Sequence, residues 1–417
     1  MYMIKKRNFI FLMTSFFLLG TLLPIAAWLI NTAAENANML YRQNYEEEAT
    51  DNYEKLAYFD RYIRENYYMP IEAGVIETGA YKGQFESLGD IYTVYYTAEE
   101  FKKQNESIQG EFFGIGTVLR GEENGFIVVE SVLSGSAAEK AGIKAGDFII
   151  AIDGNSFLGK ELTEAINILR GEEGAEVNLR IRRGEDEFEK MLQRSKIVTP
   201  SVDGMVLKAS NLGYIQLTSF ANHTAEDFRA KLTEMENANV EGLIIDLRNN
   251  AGGLVDKGVE IADMLLDAGT VATAKAGDGS EKRYITEDGS TELPYVVLIN
   301  ESSASTSEIL AGAIRDNKGG LLVGTISTGK GIIQKLEQFD DGDGARITIA
   351  QYFTPAGHPV QGVGIIPDYL IENIEGDETD LQLEKAIELL EKKTEGAGRS
   401  AYVQGAGGFP RLWDACA

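Results

Sequence analysis

Apolar and polar positions divide this chain into four textures. Residues 9–30 are almost continuously apolar, interrupted mainly by Thr14, Ser15, Gly20, Thr21 and Pro24, and a run of roughly 20 such residues can span a bilayer. Lys5, Lys6 and Arg7 precede it, which predicts a cytoplasmic N-terminus with everything after residue 31 on the far side. Both a retained anchor and a cleaved signal fit residues 1–34: Thr32, Ala33 and Ala34 are small enough for cleavage, but the apolar run exceeds a usual signal core. In residues 35–98 the spacing of Tyr41, Tyr45, Tyr53, Leu56, Tyr58, Phe59, Tyr62 and Ile63 predicts one or two amphipathic helices. Their apolar face needs a partner, either the rest of the chain or a second copy joining through these helices as a homodimer. Residues 99–197 turn to short β-rich runs with glycine-bearing turns, and residues 198–375 to buried strands alternating with helices, such as Leu243-Ile244-Ile245-Asp246-Leu247 and Val296-Val297-Leu298-Ile299. Residues 376–417 predict an acidic helix around 381–392 and a Gly/Ala-rich tail without fixed structure. The pattern is that of a multidomain α/β chain.

Composition narrows the function. The net charge of −26 over 417 residues, with no Lys/Arg stripe beyond the first few residues, opposes binding to phosphate backbones, so nucleic acid is excluded as a partner. The single cysteine, Cys416, allows no intrachain disulfide, and two histidines, His223 and His358, leave little for metal ligation. No metal or other cofactor is expected.

Within the β-rich region the order of runs is informative. Gly114-Ile115-Gly116-Thr117-Val118-Leu119 is followed by Gly125-Phe126-Ile127-Val128-Val129 and Ser136-Ala137-Ala138-Glu139-Lys140-Ala141-Gly142-Ile143. Next come Asp147-Phe148-Ile149-Ile150-Ala151-Ile152-Asp153-Gly154, a helical stretch at 161–170 and a strand at 177–181. This succession resembles a PDZ domain. A glycine turn entering an edge strand exposes backbone N–H groups that can receive a terminal carboxylate while a peptide adds as a further strand, and Gly114, Ile115 and Gly116 occupy that turn. Taken alone, the three residues equally suit a plain hairpin with glycines for backbone geometry. Leu162, Ile166 and Leu169 share one helix face, mostly core, with at most one residue left to line a pocket.

The segment Asn300-Glu301-Ser302-Ser303-Ala304-Ser305-Thr306-Ser307-Glu308-Ile309 follows a buried strand and opens a helix. A nucleophile there would have a helix N-terminus to favour developing negative charge, although hydroxyls at such a place also serve as caps. A second segment, Gly324-Thr325-Ile326-Ser327-Thr328-Gly329-Lys330-Gly331-Ile332-Ile333-Gln334, joins it. Together they resemble peptidase family S41, the C-terminal processing peptidases, whose core is α/β and ClpP/crotonase-like. The resemblance extends to Asp246-Leu247-Arg248-Asn249-Asn250-Ala251-Gly252-Gly253-Leu254 and to Tyr352-Phe353-Thr354-Pro355-Ala356-Gly357, and continues through Gln361-Gly362-Val363-Gly364-Ile365-Ile366-Pro367-Asp368.

The resemblance implies Ser305 as nucleophile, Lys330 as base and Gln334 as the residue whose amide orients the Lys330 amine. It also implies an oxyanion hole of backbone N–H groups from the Gly252-Gly253 turn and Thr306. A serine hydroxyl needs a base. With neither histidine in a triad-like context, lysine is the stronger candidate, and Ser-Lys pairs are a known variant of triad logic. Only about one unperturbed lysine in a few thousand is neutral at pH 7, so the amine must be buried; Ile326, Ile332 and Ile333 offer apolar surroundings.

The chain departs from the family at Ala251 and Thr328, where proline and phenylalanine are usual, and Asp90-Ile91-Tyr92-Thr93 lacks a common proline. None of these is a reacting group. His358 reads as a surface residue. Gly324 to Lys330 also matches a phosphate-binding loop, but Gly331 stands where its Ser or Thr would be. Asp340-Asp341-Gly342-Asp343-Gly344 is too short for a calcium loop and reads as a hairpin turn. The expectation is a serine endopeptidase on the extracytoplasmic side of a bacterial-type membrane, anchored or secreted. Its PDZ domain would bind the free C-termini of protein or peptide substrates. The alternative is a catalytically silent PDZ scaffold.

Overall fold

The computed structural model describes residues 53–122, 125–374 and 379–395; the apolar run at 9–30, the start of the helical region and the tail lie outside them. The chain divides into two compact units at residue 83. In the first, the helix at 53–66 carries the predicted aromatic face, with Tyr53, Leu56, Tyr58, Phe59, Tyr62 and Ile63 all exposed. Stacked rings of Tyr58 and Tyr62 line it. Arg64 pairs with Asp60 one helical turn back and with Glu77 of the helix Val75–Glu86.

The second unit is built on a sheet of six strands in the order Val202–Leu207, Leu212–Leu217, Leu243–Asp246, Tyr295–Ile299, Leu321–Gly324, Tyr369–Leu370. All neighbours are parallel except the first pair. Both faces are covered, so the central strands read as unbroken apolar runs. One face, with Ile215, Ile245, Val297 and Leu322, packs against helices Thr224–Asn237, Val255–Leu265 and Thr306–Asp316. Ile244, Val296, Leu298 and Val323 point the other way and meet Ala386 and Leu390 of the helix Leu381–Glu395. A second, antiparallel sheet centres on the long strand Gly344–Phe353, which pairs with Val94–Tyr96, Gly269–Ala276 and Ile332–Gln338. Thus residues 94–109 pack on the catalytic region although the PDZ segment follows them: Phe101 of the helix Ala98–Gln109 is buried against Gly344.

The β-rich domain leaves and re-enters through the two-stranded ribbon Glu111–Gly114 with Ser195–Val198, so its two ends lie side by side. Its sheet runs Thr117–Gly121, Ile127–Val132, Phe148–Ile152, Glu176–Arg183, Asp186–Gln193. It closes over its own core of Ile127, Val129, Ile149, Leu179, Ile181 and their neighbours. Arg194 is buried and donates to the carbonyls of Ile168, Leu169 and Glu176. It thereby ties the carboxyl end of the helix Leu162–Leu169 to the sheet, where a cation also suits the helix dipole.

At the carboxyl end of Leu243–Asp246 an ion-pair network sets the course of the next turn. Arg248 grips Asp246 at 2.7 Å and reaches Asp380 and Gln382 at 2.9 and 3.0 Å. The Tyr214 hydroxyl donates to Asp246 at 2.6 Å, and that pairing together with burial pushes the phenol well above its ordinary value. Asp246 is 1% exposed. Arg248→Ala leaves its carboxylate buried without a cation, and the expected cost is about 3 kcal/mol or more; a lowered urea midpoint for the second unit measures it.

Candidate active site

Ser305 is the N-cap of the helix Thr306–Asp316 and has φ 56° and ψ −115°. That is a costly backbone for any residue with a Cβ, of order 1–3 kcal/mol, and it survives only where the surroundings over-determine it. They do so here. Glu308 Oε2 accepts the Ser305 N–H at 2.8 Å and the Lys330 N–H at 2.9 Å. The Tyr352 hydroxyl bridges the carbonyls of the same two residues, at 3.0 Å from Ser305 O and 2.9 Å from Lys330 O. Both main-chain groups of the serine are therefore tied to both main-chain groups of the lysine through two buried side chains. The Ser305 Oγ takes no part in capping and is left for chemistry.

The second carboxylate oxygen of Glu308 accepts from Ser327 Oγ at 2.5 Å and Gly329 N at 2.7 Å. Burial pushes this carboxyl above its ordinary value, and the four donors oppose the shift. Burial likewise holds the Tyr352 phenol far above its usual value, so it remains a donor.

The glycine turn lies against Ser305. A Cβ on Gly252 would sit 2.9 Å from Ser305 Cβ and 3.0 Å from Thr306 N. Asn250, fully buried, organises the approach. Its side chain accepts from Gly252 N and donates to Leu217 O, both at 2.9 Å, while its carbonyl receives Ala304 N and Ser307 Oγ. Gly253 forms a parallel bridge with Phe220, in which Gly252 O and Leu254 N make the bonds. The Gly253 peptide edge consequently faces the helix start, where its carbonyl accepts from Thr306 Oγ1 at 2.9 Å. Among the described residues neither Gly253 N nor Thr306 N has an acceptor. The Gly252 N–H, implied alongside them, is already spent on Asn250.

Lys330 lies in the loop before the strand Ile332–Gln338; no helix follows, as a phosphate loop would require. Burial pushes its amine below the ordinary lysine value, Arg346 adds to this, and Glu308 and Asp90 oppose it. The surroundings differ from those expected. Of the three isoleucines, Ile333 packs on the core, whereas Ile326 is exposed. What lies over the amine is the Tyr92 ring, 4.7 Å from Nζ. No hydrogen bond joins Lys330 Nζ to Ser305 Oγ or to Gln334. Gln334 instead donates to Thr348 Oγ1 at 3.4 Å, because a bulge between Ile333 and Gln334 shifts the register against Gly344–Phe353. His223 bonds to Ser201 and Thr199, and His358, expected at the surface, is half-buried in the turn after that strand. Residues 340–344 form the predicted hairpin turn, closed by Phe339 N to Asp343 O.

In the β-rich domain Gly114, Ile115 and Gly116 link the ribbon to Thr117–Gly121, the edge strand of its sheet. Gly116 has φ 82°, and a Cβ there would lie 2.3 Å from Ser136 Cβ, so the turn needs glycine on two counts. The Ile115 side chain is core, at 2% exposure, which leaves its backbone as the part able to meet a ligand. On the adjacent helix Ala165 and Leu169 are buried, while Ile166 stays half-exposed outside the core. A cleft of about 660 Å³ opens elsewhere, lined by Tyr214, Asp246, Arg248, Thr325 and Glu372 among others. Ser305, Lys330, Gln334 and the Gly252-Gly253 turn are not among its lining residues.

In the sequence Glu308, Asn250 and Tyr352 stand within the quoted motifs, and only an acid three residues after the serine at a helix start marks one of them, Glu308.

Comparison with known proteins identifies the family. The model of peptidase family S41 matches residues 211–371 and that of the PDZ domain residues 128–183. A protein of Staphylococcus haemolyticus named "Probable CtpA-like serine protease" is 36% identical over 75% of this chain and 64% of its own length. One of the same name from Staphylococcus aureus is 32% identical over 88% of this chain and 73% of its own. The chain thus spans about two thirds to three quarters of these relatives. Among solved structures, a photosystem II D1 C-terminal processing protease is 30% identical, with a TM-score of 0.47 over 79% of this chain and 90% of that one. This chain belongs to peptidase family S41, carries a PDZ domain, and is similar to the CtpA-like serine proteases.

Proposed function

We propose that the chain is an active serine endopeptidase working through Ser305 and Lys330. The observation that carries the reading is the double clamp of Glu308 and Tyr352, which holds the backbones of these two residues together. Ser305 Oγ attacks the scissile carbonyl and gives its proton to the neutral Lys330 amine. The oxyanion receives the N–H groups of Gly253 and Thr306, with Gly252 allowing the close approach. Collapse expels the amine, protonated by Lys330, and leaves an acyl ester on Ser305. Water, deprotonated by the same lysine, then frees the enzyme. Gln334 exchanges its bond to Thr348 for one to the lysine amine. Burial of the amine, which lowers its pKa, costs solvation free energy of the charged form that a folded core can supply.

The PDZ domain captures the free C-terminus of a protein or peptide, the carboxylate at the turn Gly114 to Gly116 and the chain along Thr117–Gly121. The apolar segment at 9–30 anchors or exports the enzyme, so that it cleaves extracytoplasmic proteins. The exposed aromatic face at 53–63 suits a second copy. Carbonate extraction of membranes and sedimentation of the full chain check those two points.

Four outcomes are expected. Ser305→Ala abolishes both proteolysis and fluorophosphonate labelling, and Lys330→Ala lowers kcat/KM by roughly 10²–10⁴-fold; a normal rate in either variant would remove that residue from the mechanism, and a wild type that neither cleaves nor is labelled would return the chain to a silent scaffold. Because the neutral amine is the base, kcat/KM rises with pH through an apparent pKa below 10.5, the ordinary lysine value. Amidating a substrate's C-terminus weakens its binding, measured as a raised KM, while a substrate cleaved as well in amidated form would refute carboxylate capture. Tyr352→Phe, which removes the hydroxyl shared by the carbonyls of Ser305 and Lys330, costs about 1 kcal/mol and slows labelling of Ser305; urea denaturation and labelling rates read the two effects.

A further inference from the structure

The Lys330 amine meets a built surface on the side occupied by Tyr92. The ring that lies 4.7 Å from Nζ belongs to the short segment Asp90-Ile91-Tyr92-Thr93, and that segment is fastened at every turn. Asp90 accepts Tyr92 N at 2.9 Å, Thr93 Oγ1 at 2.7 Å and Thr348 Oγ1 at 2.6 Å. Thr93 Oγ1 also accepts Thr348 N at 3.1 Å, and Arg346 donates to Tyr92 O at 2.9 Å. Both main-chain groups of Tyr92 are thus bonded, and its ring is set where it is. The same Thr348 hydroxyl receives the Gln334 amide. One four-residue loop therefore touches the lysine directly and the glutamine through a single threonine.

An aromatic face attracts an ammonium and not a neutral amine. The amine that serves as base must be neutral and must reach Ser305 Oγ, to which it is not bonded while it lies over the ring. Losing the proton and leaving Tyr92 are consequently the same event.

We propose that Tyr92 is a positioning residue for Lys330: its ring parks the protonated amine away from Ser305, and the loop 90–93 sets the pH at which the nucleophile becomes active. This rests on the Ser305–Lys330 reading. Three charged groups also face the amine. Glu308 from the helix Thr306–Asp316 and Asp90 from the loop favour its charge; Arg346 from the strand Gly344–Phe353 opposes it, as burial does. The ring works with the two carboxylates. Removing it leaves burial and Arg346 with less opposition, so the neutral amine appears at lower pH.

The test follows the rate of Ser305 labelling by a fluorophosphonate across pH, which needs no substrate. In Tyr92→Leu, which keeps apolar bulk, the half-maximal pH falls by about 0.4–1.5 units. Tyr92→Phe keeps the face of the ring and stays with the wild type. Replacing Tyr92 by trifluorophenylalanine, which preserves shape but drains the ring's negative face, shifts the midpoint as Tyr92→Leu does and guards against a packing artefact. Coincident curves for the wild type, Tyr92→Leu and the fluorinated variant overturn the proposal, as does a Tyr92→Phe shift equal to that of Tyr92→Leu. Lys330→Ala separates the two levels: an unchanged pH limb there removes the lysine base itself, whereas loss of labelling there with no shift in the Tyr92 variants removes only the role of Tyr92.

Discussion

The carboxylate of Glu308 holds the catalytic region together. It is 1% exposed, and its two oxygens accept four donors from two pieces of chain: Ser305 N from one, and Ser327 Oγ, Gly329 N and Lys330 N from the other. A buried acid is costly unless its acceptor sites are filled. Filling them requires the nucleophile segment and the lysine loop, which come from different strands of the sheet, to meet at one point. Tyr352 repeats the constraint on the carbonyl side from the antiparallel sheet. The strained backbone of Ser305 persists because relaxing it would break the hydrogen bonds of both clamps.

Two opposed electrostatic demands meet at this point. Developing negative charge on an oxyanion calls for donors, and the start of the helix Thr306–Asp316 supplies them. A neutral lysine calls for a site that disfavours positive charge, and burial with Arg346 nearby supplies that. Glu308 could upset both, since a bare carboxylate beside them would repel the oxyanion and hold the lysine charged. Its four hydrogen bonds draw that charge inward to the backbone, so it acts mainly as a fastener.

The PDZ domain is joined differently. Its two ends run side by side through a ribbon of four residues each, and it keeps a separate core. Such an attachment leaves the catalytic sheet unbroken, because strand Val202–Leu207 begins just after the ribbon ends. The segment before the domain does the reverse: Val94–Tyr96 joins the antiparallel sheet and brings Asp90 and Tyr92 beside Lys330.

The sequence by itself determined the order of the parts. Unbroken apolar runs at 243–247 and 296–299 read as strands covered on both faces, and the glycines at 116 and at 252 and 253 mark turns where a side chain would collide with its neighbours. Ser305, Lys330 and Gln334 stand out in the sequence because local motifs carry their own spacing. Only the tertiary structure decided what surrounds them. Gln334 turned to Thr348 because a bulge shifts its register; Gly252 lost its N–H to Asn250; and Lys330 found Tyr92 and Arg346 where nearby isoleucines had been expected. Each of these depends on contacts between residues far apart in the chain, and hydrophobic periodicity, which reports only which face is buried, contains no information about which polar group on that face will meet which.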